Sequence, residues 1–340
     1  MKHELTEGLL LNEKGDLNEA GFSLCPVKTY ERKQIKGLRW RIKEWDYYYI
    51  GNSKYGLCLT ISDVSFLALC SVTFMDFVNV RQPAKTVIKP FTFGKVGLPS
   101  SSKEGDVSFT NKVMSISFTH ENGKRHLLAF VKGFDGEKDL KADVWLEETM
   151  NDSIVVALPF FKKRHFYYNQ KINGMKSEGY VQIGEDKFDL GGDTLATLDW
   201  GRGVWTYKNT WLWSNMNGYA DGKRIGFNLG YGFGDNSNGT ENIFYYDGKA
   251  YKMDDVKFEI PVDEKGNDDF MNEWKFTSES GDINLTFKPL INRHDDTNVL
   301  IIRSKQNQVF GHFSGTFKVE GKEVKFENIL GFAEKVYNRW

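Results

Sequence analysis

Cysteine, long apolar runs and paired histidines are scarce or missing in this sequence of 340 residues. The three cysteines, Cys25, Cys58 and Cys70, are odd in number and lack metal-ligand spacing, which predicts reduced thiols in a cytoplasmic protein. The six histidines are scattered along the chain, so no metal site is predicted. No stretch approaches the roughly 18 apolar residues of a membrane span, and the N-terminus lacks the apolar run of a signal peptide. Integral membrane association is therefore not expected.

An excess of charge of one sign is also missing. The chain has 45 lysines and arginines against 46 aspartates and glutamates, and its formal net charge is -1 at pH 7. No basic stripe or acidic tail stands out, so neither a nucleic acid nor an anionic membrane surface is favoured as a partner. The sequence leaves the oligomeric state open.

Proline is rare, with 7 residues, whereas 33 glycines and 15% aromatic residues are present. Sustained helical patterns are hard to find, and turn dipeptides recur between segments of alternating apolar residues. The dipeptides are Asn122-Gly123, Asp221-Gly222, Asp247-Gly248, Ser280-Gly281 and Glu320-Gly321. Regular hairpins favour barrels or sandwiches, which protect sheet edges. The predicted fold class is all-β with little helix.

Two β domains, 1–195 and 196–340, are predicted from a break in the strand pattern at Gly191-Gly192-Asp193. Each is long enough for one barrel or sandwich. Within the first domain, the segment 78–112 contains three prolines and a run of serines at 100–102. This composition predicts loops that cross an edge or a mouth of the sheet.

Tryptophan is concentrated between Leu198 and Trp213, a stretch that holds four of the nine tryptophans. If the stretch is one strand, its odd-numbered side chains share a face. That face carries an acid and most of the aromatic groups: Asp199, Trp205, Tyr207, Trp211 and Trp213. Trp200 and Arg202 stand between the acid and the aromatic residues. The one-sided pattern predicts a binding surface or a wet cavity.

A second strand, 226–234, alternates glycines and Asn228 with large apolar residues that include Tyr231. Its glycine face would admit either a ligand or the tryptophans of 205–213. The alternative, glycines that only make room for core aromatic residues, is the more common arrangement. The segment has neither the helix start nor the Lys-Ser/Thr pair of a phosphate-binding loop, and no cofactor is predicted.

Polar residues elsewhere could complete a site. Glu241 could face Asp199 or Arg202, and two carboxylates in an aromatic pocket could divide acid and base roles. The alternative is a structural ion pair between Arg202 and Glu241 or Asp199. His312 is a further candidate, although a hydrogen-bonded strand histidine is the more common role.

Several of these motifs resemble the bacterial family known as domain of unknown function 2804. The resemblance rests on Asp199-Trp200-Gly201-Arg202-Gly203, on Trp211-Leu212-Trp213 and on the strand from Asn228 to Gly234, and it extends to Arg339-Trp340. It covers essentially the whole chain. Membership implies no particular activity.

A more distant resemblance, carried by Tyr167-Tyr168, Gly179-Tyr180-Val181 and Leu198-Asp199-Trp200-Gly201, is to the carotenoid hydratase and tocopherol cyclase-like superfamily. It implies two lipocalin-like β-barrels in tandem that bind or transform hydrophobic, isoprenoid-like ligands. Trp200 matches the tryptophan of that superfamily and Asp199 its glutamate, whereas Thr197 stands where the superfamily has an aspartate.

Three functional hypotheses follow. The first is binding of a hydrophobic or amphipathic small molecule in an aromatic pocket near the domain junction. Its predicted ligand-binding residues are Trp200, Arg202, Trp205, Tyr207, Trp211, Trp213, Asn228, Tyr231 and His312. The second is a cofactor-free lyase, cyclase or isomerase that acts on an isoprenoid-like substrate, with Asp199 as acid and Glu241 or a bound water as base. The third is a structural or interaction protein without a ligand.

Overall fold

The computed structural model describes residues 2–299 and 302–340, which consist almost entirely of β strands. In this part of the chain the helical elements are two single 3-10 turns, Arg32–Gln34 and Arg39–Arg41. The predicted all-β class is confirmed. The chain forms two compact units that meet in sequence between Thr206 and Tyr207.

The first unit contains fifteen strands in the described residues. They are β1 (Gly8–Leu9), β2 (Gly21–Ser23), β3 (Lys28–Thr29), β4 (Ile42–Gly51), β5 (Tyr55–Asp63), β6 (Leu67–Asp76), β7 (Ala84–Pro90), β8 (Val107–Thr110), β9 (Met114–Glu121), β10 (Lys124–Asp135), β11 (Lys138–Glu147), β12 (Ile154–Pro159), β13 (Phe166–Ile183), β14 (Asp186–Asp189) and β15 (Leu195–Val204).

Most of these strands form one curled antiparallel sheet with the order β7-β6-β5-β4-β15-β13-β11-β10-β9-β8. Strands β12 and β14 pair with β13, and β2 pairs with β12. The short strands β1 and β3 form a separate parallel pair. The predicted domain boundary between residues 195 and 196 falls inside β15, whose two neighbours, β4 and β13, belong to the first unit.

In the second unit, the described residues form nine strands in one curled antiparallel sheet. They are β16 (Lys208–Ala220), β17 (Lys223–Tyr231), β18 (Ile243–Tyr246), β19 (Lys249–Lys252), β20 (Val256–Glu259), β21 (Trp274–Ser278), β22 (Ile283–Val299), β23 (Ile302–Val319) and β24 (Lys322–Arg339). Their order is β19-β18-β17-β16-β24-β23-β22-β21-β20.

All five predicted turn dipeptides connect consecutive antiparallel strands. At the β9–β10 hairpin, Asn122 and Gly123 have φ angles of 52° and 77°. Two successive residues with positive φ form the turn whose twist matches the flanking strands, and asparagine and glycine adopt this conformation at low cost. The turn chemistry of the sequence thus determined where these strands end.

Period-2 burial places one hydrophobic core in each unit. Along β10, Leu127 and Val131 are fully buried, whereas Leu128 and Phe130 on the opposite face are 40% and 39% exposed. The core of the second unit is rich in phenylalanine, and Phe227, Phe313 and Phe317 pack there. Strand β15 departs from this alternation, because every one of its residues is buried.

Two sequence-based interpretations were wrong. The segment 78–112 is not loop throughout, because it contains β7 and β8; β7 nevertheless forms an edge of the sheet, where proline is tolerated. The tryptophan-rich stretch 198–213 is not one strand. It divides into the end of β15 and the start of β16, which belong to different sheets, and residues 205–207 connect them. The side chains at 199–203 and 208–213 therefore do not share one face.

Candidate functional site

Strand β15 distributes the predicted site residues over two opposite faces of the first sheet. Trp200 packs in the hydrophobic core of the first unit, and Arg202 lies on the same face. Asp199 points to the other face, where its register partners are Lys171 on β13 and Tyr47 on β4. Alternation along a strand causes this separation. Asp199 and Arg202, the acid and the arginine of the central motif, therefore contact different sets of residues on opposite faces of the sheet.

Asp199 is a buried acceptor on its face. Its Oδ1 lies 2.8 Å from Lys171 Nζ and accepts a hydrogen bond of 2.6 Å from Asn169 Nδ2. The neighbouring Gly201 is required for packing, because a Cβ at this position would collide with the indole ring of Trp45. The motif therefore combines a buried ion pair with a glycine that admits an aromatic ring.

Arg202 connects β15 to a long loop. Its Nη1 donates to Asp46 Oδ1 at 2.9 Å and to the carbonyl oxygen of Trp45 at 2.7 Å, while Nε and Nη2 donate to the carbonyl oxygen of Pro99 at 3.2 and 2.8 Å. The guanidinium lies 4.1 Å from the centroid of the Trp200 ring. The ionic partner of Arg202 is thus Asp46 rather than the predicted Asp199 or Glu241, since Asp46 shares its face.

A second ionic group lies on β4 near Arg202. The Tyr30 hydroxyl donates to Glu44 Oε1 at 2.7 Å, and Arg32 forms an ion pair with Oε2 of the same carboxylate. Burial raises the pKa of the Tyr30 hydroxyl well above its ordinary value, and the adjacent Glu44 carboxylate adds to the effect. The phenol is therefore held as a neutral donor with its ring in a fixed position.

A cavity of about 580 Å³ lies beside these groups in the first unit. One wall includes Tyr30, Tyr168 and Trp200, which are 2%, 2% and 3% exposed. Both tyrosine rings contact Trp200 edge to face, with centroid separations of 6.3 Å for Tyr30 and 5.6 Å for Tyr168. The Tyr168 hydroxyl donates to the carbonyl oxygen of Lys28 at 2.9 Å. Trp200 Nε1 is buried and has no hydrogen-bond partner among the described residues.

The remaining lining of the cavity is mostly polar. It includes the serines at 100–102, and the Ser102 hydroxyl donates to Gln170 Oε1. Gln170 in turn donates from Nε2 to Ser153 Oγ at 2.8 Å, so its amide is fixed. Four basic and two acidic side chains also line the cavity: Lys28, Arg32, Lys33, Lys103, Glu31 and Glu104. The cavity thus has an aromatic wall and a polar, charged rim.

The predicted residues of the second unit form a separate network. Trp213 lies opposite Gly230 in the register of β16 and β17, so the glycine face of 226–234 does receive a tryptophan. Trp213 Nε1 donates to Asn228 Oδ1 at 2.6 Å, and Asn228 Nδ2 donates to the carbonyl oxygen of Glu241 at 2.9 Å. Trp211 Nε1 donates to Glu334 Oε1 at 2.9 Å.

The remaining predicted residues do not line the cavity. Trp205 is 6% exposed and contacts Trp45, whereas Tyr207 is 37% exposed. The Tyr231 hydroxyl accepts a hydrogen bond from the backbone N–H of Phe258. His312 lies on β23, and burial lowers the pKa of its imidazole. Of all predicted site residues, Trp200 alone lines the described cavity.

The cavity residues missed from the sequence are Tyr30, Tyr168, Gln170 and Ser102. Two local signals were present, the Tyr167-Tyr168 pair and the serine run, but neither shows that a strand and a distant loop face one another. Among the described residues there is no group of three side chains suited to hold a metal ion. Nor does that part of the chain contain a helix long and apolar enough to span a membrane.

Comparison with solved structures identifies the fold. An AttH-like protein of Nitrosomonas europaea has a TM-score of 0.54 at 12% sequence identity, covering 92% of this chain and 98% of that one. Kievitone hydratase of Nectria haematococca has a TM-score of 0.49 at 11% identity, covering 98% of both chains. The likeness to the first of these structures shows the fold, and the predicted architecture of two lipocalin-like β domains in tandem is confirmed.

Among curated proteins, none matches the chain in sequence. A family model does, and it spans residues 2–340. Its range includes the Asp199–Gly203 motif and the Asn228–Gly234 strand on which the predicted resemblance depends. The chain belongs to the family described as Domain of unknown function (DUF2804).

Proposed function

We propose that the protein binds an amphipathic small molecule in the cavity of the first unit. The observation that carries this proposal is the ring wall of Tyr30, Tyr168 and Trp200. Both tyrosine hydroxyls are already hydrogen-bonded to protein groups, and the three aromatic residues are only 2–3% exposed, so a ligand would meet them as the floor of the cavity. Aromatic walls with a few fixed polar groups are typical of small-molecule sites.

The dimensions and polarity of the cavity suit such a ligand. Its volume of 580 Å³ falls within the roughly 300–1,000 Å³ of small-molecule sites. An apolar body would lie against the rings, and a polar end would meet the serines and the charged rim. An acceptor on the ligand could also satisfy Trp200 Nε1 after a small shift of the ring, which removes the cost of an unpaired buried donor.

This proposal keeps the ligand class predicted from the sequence but assigns the ligand to the wall that contains Trp200. The alternative of a cofactor-free lyase, cyclase or isomerase with Asp199 as acid and Glu241 as base stays a prediction. Asp199 points away from the core face of β15 and contacts Lys171 and Asn169. An acid catalyst must reach its substrate, and the described cavity is not lined by Asp199.

The proposal is tested by titrating the purified chain with fatty acids and isoprenoid alcohols in a calorimeter. We expect saturable binding of at least one class and, for Trp200→Phe, a loss of about fivefold in affinity, the equivalent of one hydrogen bond. Trp145→Phe is the matched control, because Trp145 stacks on His126 outside the cavity. The absence of saturable binding, or equal losses in both variants, would contradict the proposal.

A further inference from the structure

One end of the first unit gathers several loops that the proposed ligand site does not explain. In the sheet register, Ile42 at the start of β4 pairs with Val204, and Val204 pairs with Phe166 at the start of β13. The loops that precede β4 and β13 therefore lie at the same end of the sheet, beside the C-terminal end of β15. Residues 91–95 are held near the loop that precedes β4. The backbone N–H groups of Phe91 and Phe93 donate to the carbonyl oxygens of Phe66 and Ser65. Ser65 Oγ donates in turn to the carbonyl oxygen of Arg39.

These loops are strongly basic although the whole chain is almost neutral. The segment 32–41 contains five lysines and arginines and no acid, and 91–95 contains one lysine and no acid. The segment 160–165 adds Lys162, Lys163, Arg164 and His165, again without an acid. The balance of 45 basic and 46 acidic residues thus conceals a local segregation of positive charge. We call the loops 32–41, 91–95 and 160–165 the basic end.

Acidic residues near the basic end are mostly engaged or hidden. Asp63 is fully buried and accepts the backbone N–H groups of Ser65 and Gly94. Glu44 is 2% exposed and paired with Arg32. Glu31 is paired with Lys33 at 3.2 Å. Asp16 also lies at the basic end, where its Oδ1 accepts the backbone N–H of Arg164. The exposed lysines and arginines of the basic end nevertheless outnumber these four acids.

Large apolar side chains are exposed among these charges. The exposed fractions are 56% for Leu38, 41% for Trp40, 72% for Phe91, 47% for Phe93 and 104% for Phe161. Scattered single apolar residues are normal on a protein surface, but five on adjoining loops form a patch. Phe91 and Phe93 also have φ angles of 57° and 49°, a conformation that costs free energy for a bulky side chain. Their outward placement is thus maintained at a conformational cost.

We propose that the basic end docks the protein on the surface of an anionic lipid bilayer. Exposed aromatic and aliphatic tips would enter the interfacial region, while the lysines and arginines meet lipid phosphates. A nucleic acid would account for the charge and the rings, but not for the exposed aliphatic side chain of Leu38. Arg32 and Lys33 line the cavity as well, so the docked orientation would bring the cavity rim towards the bilayer.

The test is co-sedimentation of the full chain with vesicles of phosphatidylcholine, with and without an equal part of phosphatidylglycerol. Binding is expected only with the anionic vesicles. Lys162→Glu combined with Lys163→Glu should lower vesicle partitioning about tenfold or more, and Phe161→Ser should lower it as well. The charge-matched control is Lys249→Glu with Lys322→Glu, and the apolar control is Val262→Ser at a residue 63% exposed; all three control sites lie in the second unit.

Three outcomes would overturn the proposal. The first is no binding to the anionic vesicles. The second is equal losses in the basic-end variants and their controls. The third is binding that is unchanged at about 1 M salt, where the screening length falls to about 3 Å. Binding to single-stranded RNA without vesicle binding would identify a nucleic acid as the partner instead. None of these results depends on the ligand proposed for the cavity, which the titration above tests separately.

Discussion

Lys171 Nζ lies 2.8 Å from Asp199 Oδ1, on directly opposed residues of β13 and β15, and the two side chains are 3% and 10% exposed. The same oxygen accepts the amide of Asn169. The acid of the Asp-Trp-Gly-Arg-Gly motif is therefore part of a buried ion pair, as in the structural alternative drawn from the sequence, but its partner is Lys171 rather than Arg202.

Asp199→Asn should destabilise the protein by about 3–5 kcal/mol, because it removes the carboxylate that compensates a buried ammonium group. Urea unfolding measures the change. Asp186→Asn is the control, because the Lys138–Asp186 pair is 55% and 63% exposed and should contribute no more than about 1 kcal/mol. An Asp199→Asn variant as stable as the wild type would show that the Lys171–Asp199 pair does not stabilise the fold. A catalytic role for Asp199 would then be favoured over a structural one.

Gly201→Ala should cost about 1–3 kcal/mol, the usual effect of overpacking. The added methyl group would collide with the Trp45 indole, which cannot retreat easily because it packs on Tyr167 and Trp205 with centroid separations of 6.2 and 5.2 Å. The melting temperature measures the effect. At Gly191, a methyl group would meet only the exposed Asp189 carboxylate at 3.3 Å, so Gly191→Ala should be nearly neutral. Equal effects at both glycines would refute the packing argument.

Arg202→Met should release the loop that carries the cavity serines. The carbonyl oxygen of Pro99 loses two donors, and hydrogen bonds to charged groups contribute about 1.5–3 kcal/mol each. Amide hydrogen exchange of residues 97–106 should accelerate about tenfold or more. Arg202→Lys should not restore protection, because an ammonium cannot reproduce the planar guanidinium contacts. Arg81→Met, at an arginine 61% exposed, is the control and should leave this loop unchanged.

Acid stability should depend on Glu19. Partial burial acts to raise the pKa of this carboxyl, but hydrogen bonds from Lys28, His3 and Thr6 outweigh it and lower the pKa to about 2. Since the pKa is lower in the folded state, the carboxylate stabilises the protein above the unfolded-state value of about 4.3, and this contribution is lost as the pH falls towards 2.

Glu19→Gln should therefore flatten the decline of the free energy of unfolding between about pH 5 and pH 2. Glu259→Gln is the control, because Glu259 is on the surface and its Lys257 partner is 71% exposed. A wild-type slope that persists in Glu19→Gln would assign the acid sensitivity to other carboxyls.

The strands were predictable where turn chemistry and alternation agree. Asn122-Gly123 and Asp221-Gly222 marked hairpins correctly, because a two-residue loop with positive φ angles selects these residue types locally. The prediction of one strand from Leu198 to Trp213 was wrong, since the alternation of aromatic residues continues across residues 205–207, where the chain passes from one sheet to another. Periodicity carries no information on such a change of sheet.

The cavity could not be derived from the sequence for a related reason. Tyr30, Ser102, Tyr168 and Trp200 are distant in sequence and meet only through the strand order of the sheet. Arg202 illustrates the limit: its partner Asp46 lies on a strand more than 150 positions earlier, whereas Asp199, three residues away, is on the opposite face. Proximity along a strand is a poor guide to contact when the residue separation is odd.

The complete burial of β15 has a consequence for how this family can vary. Its two faces carry incompatible sets of groups, Asp199 and Gly201 on one and Trp200 and Arg202 on the other. Slippage by a single residue would place Trp200 opposite Lys171 and insert the carboxylate of Asp199 into the aliphatic core. The native register of β15 is therefore strongly favoured over its shifted alternatives. Single-residue insertions or deletions between Leu195 and Val204 should be the least tolerated in the first unit.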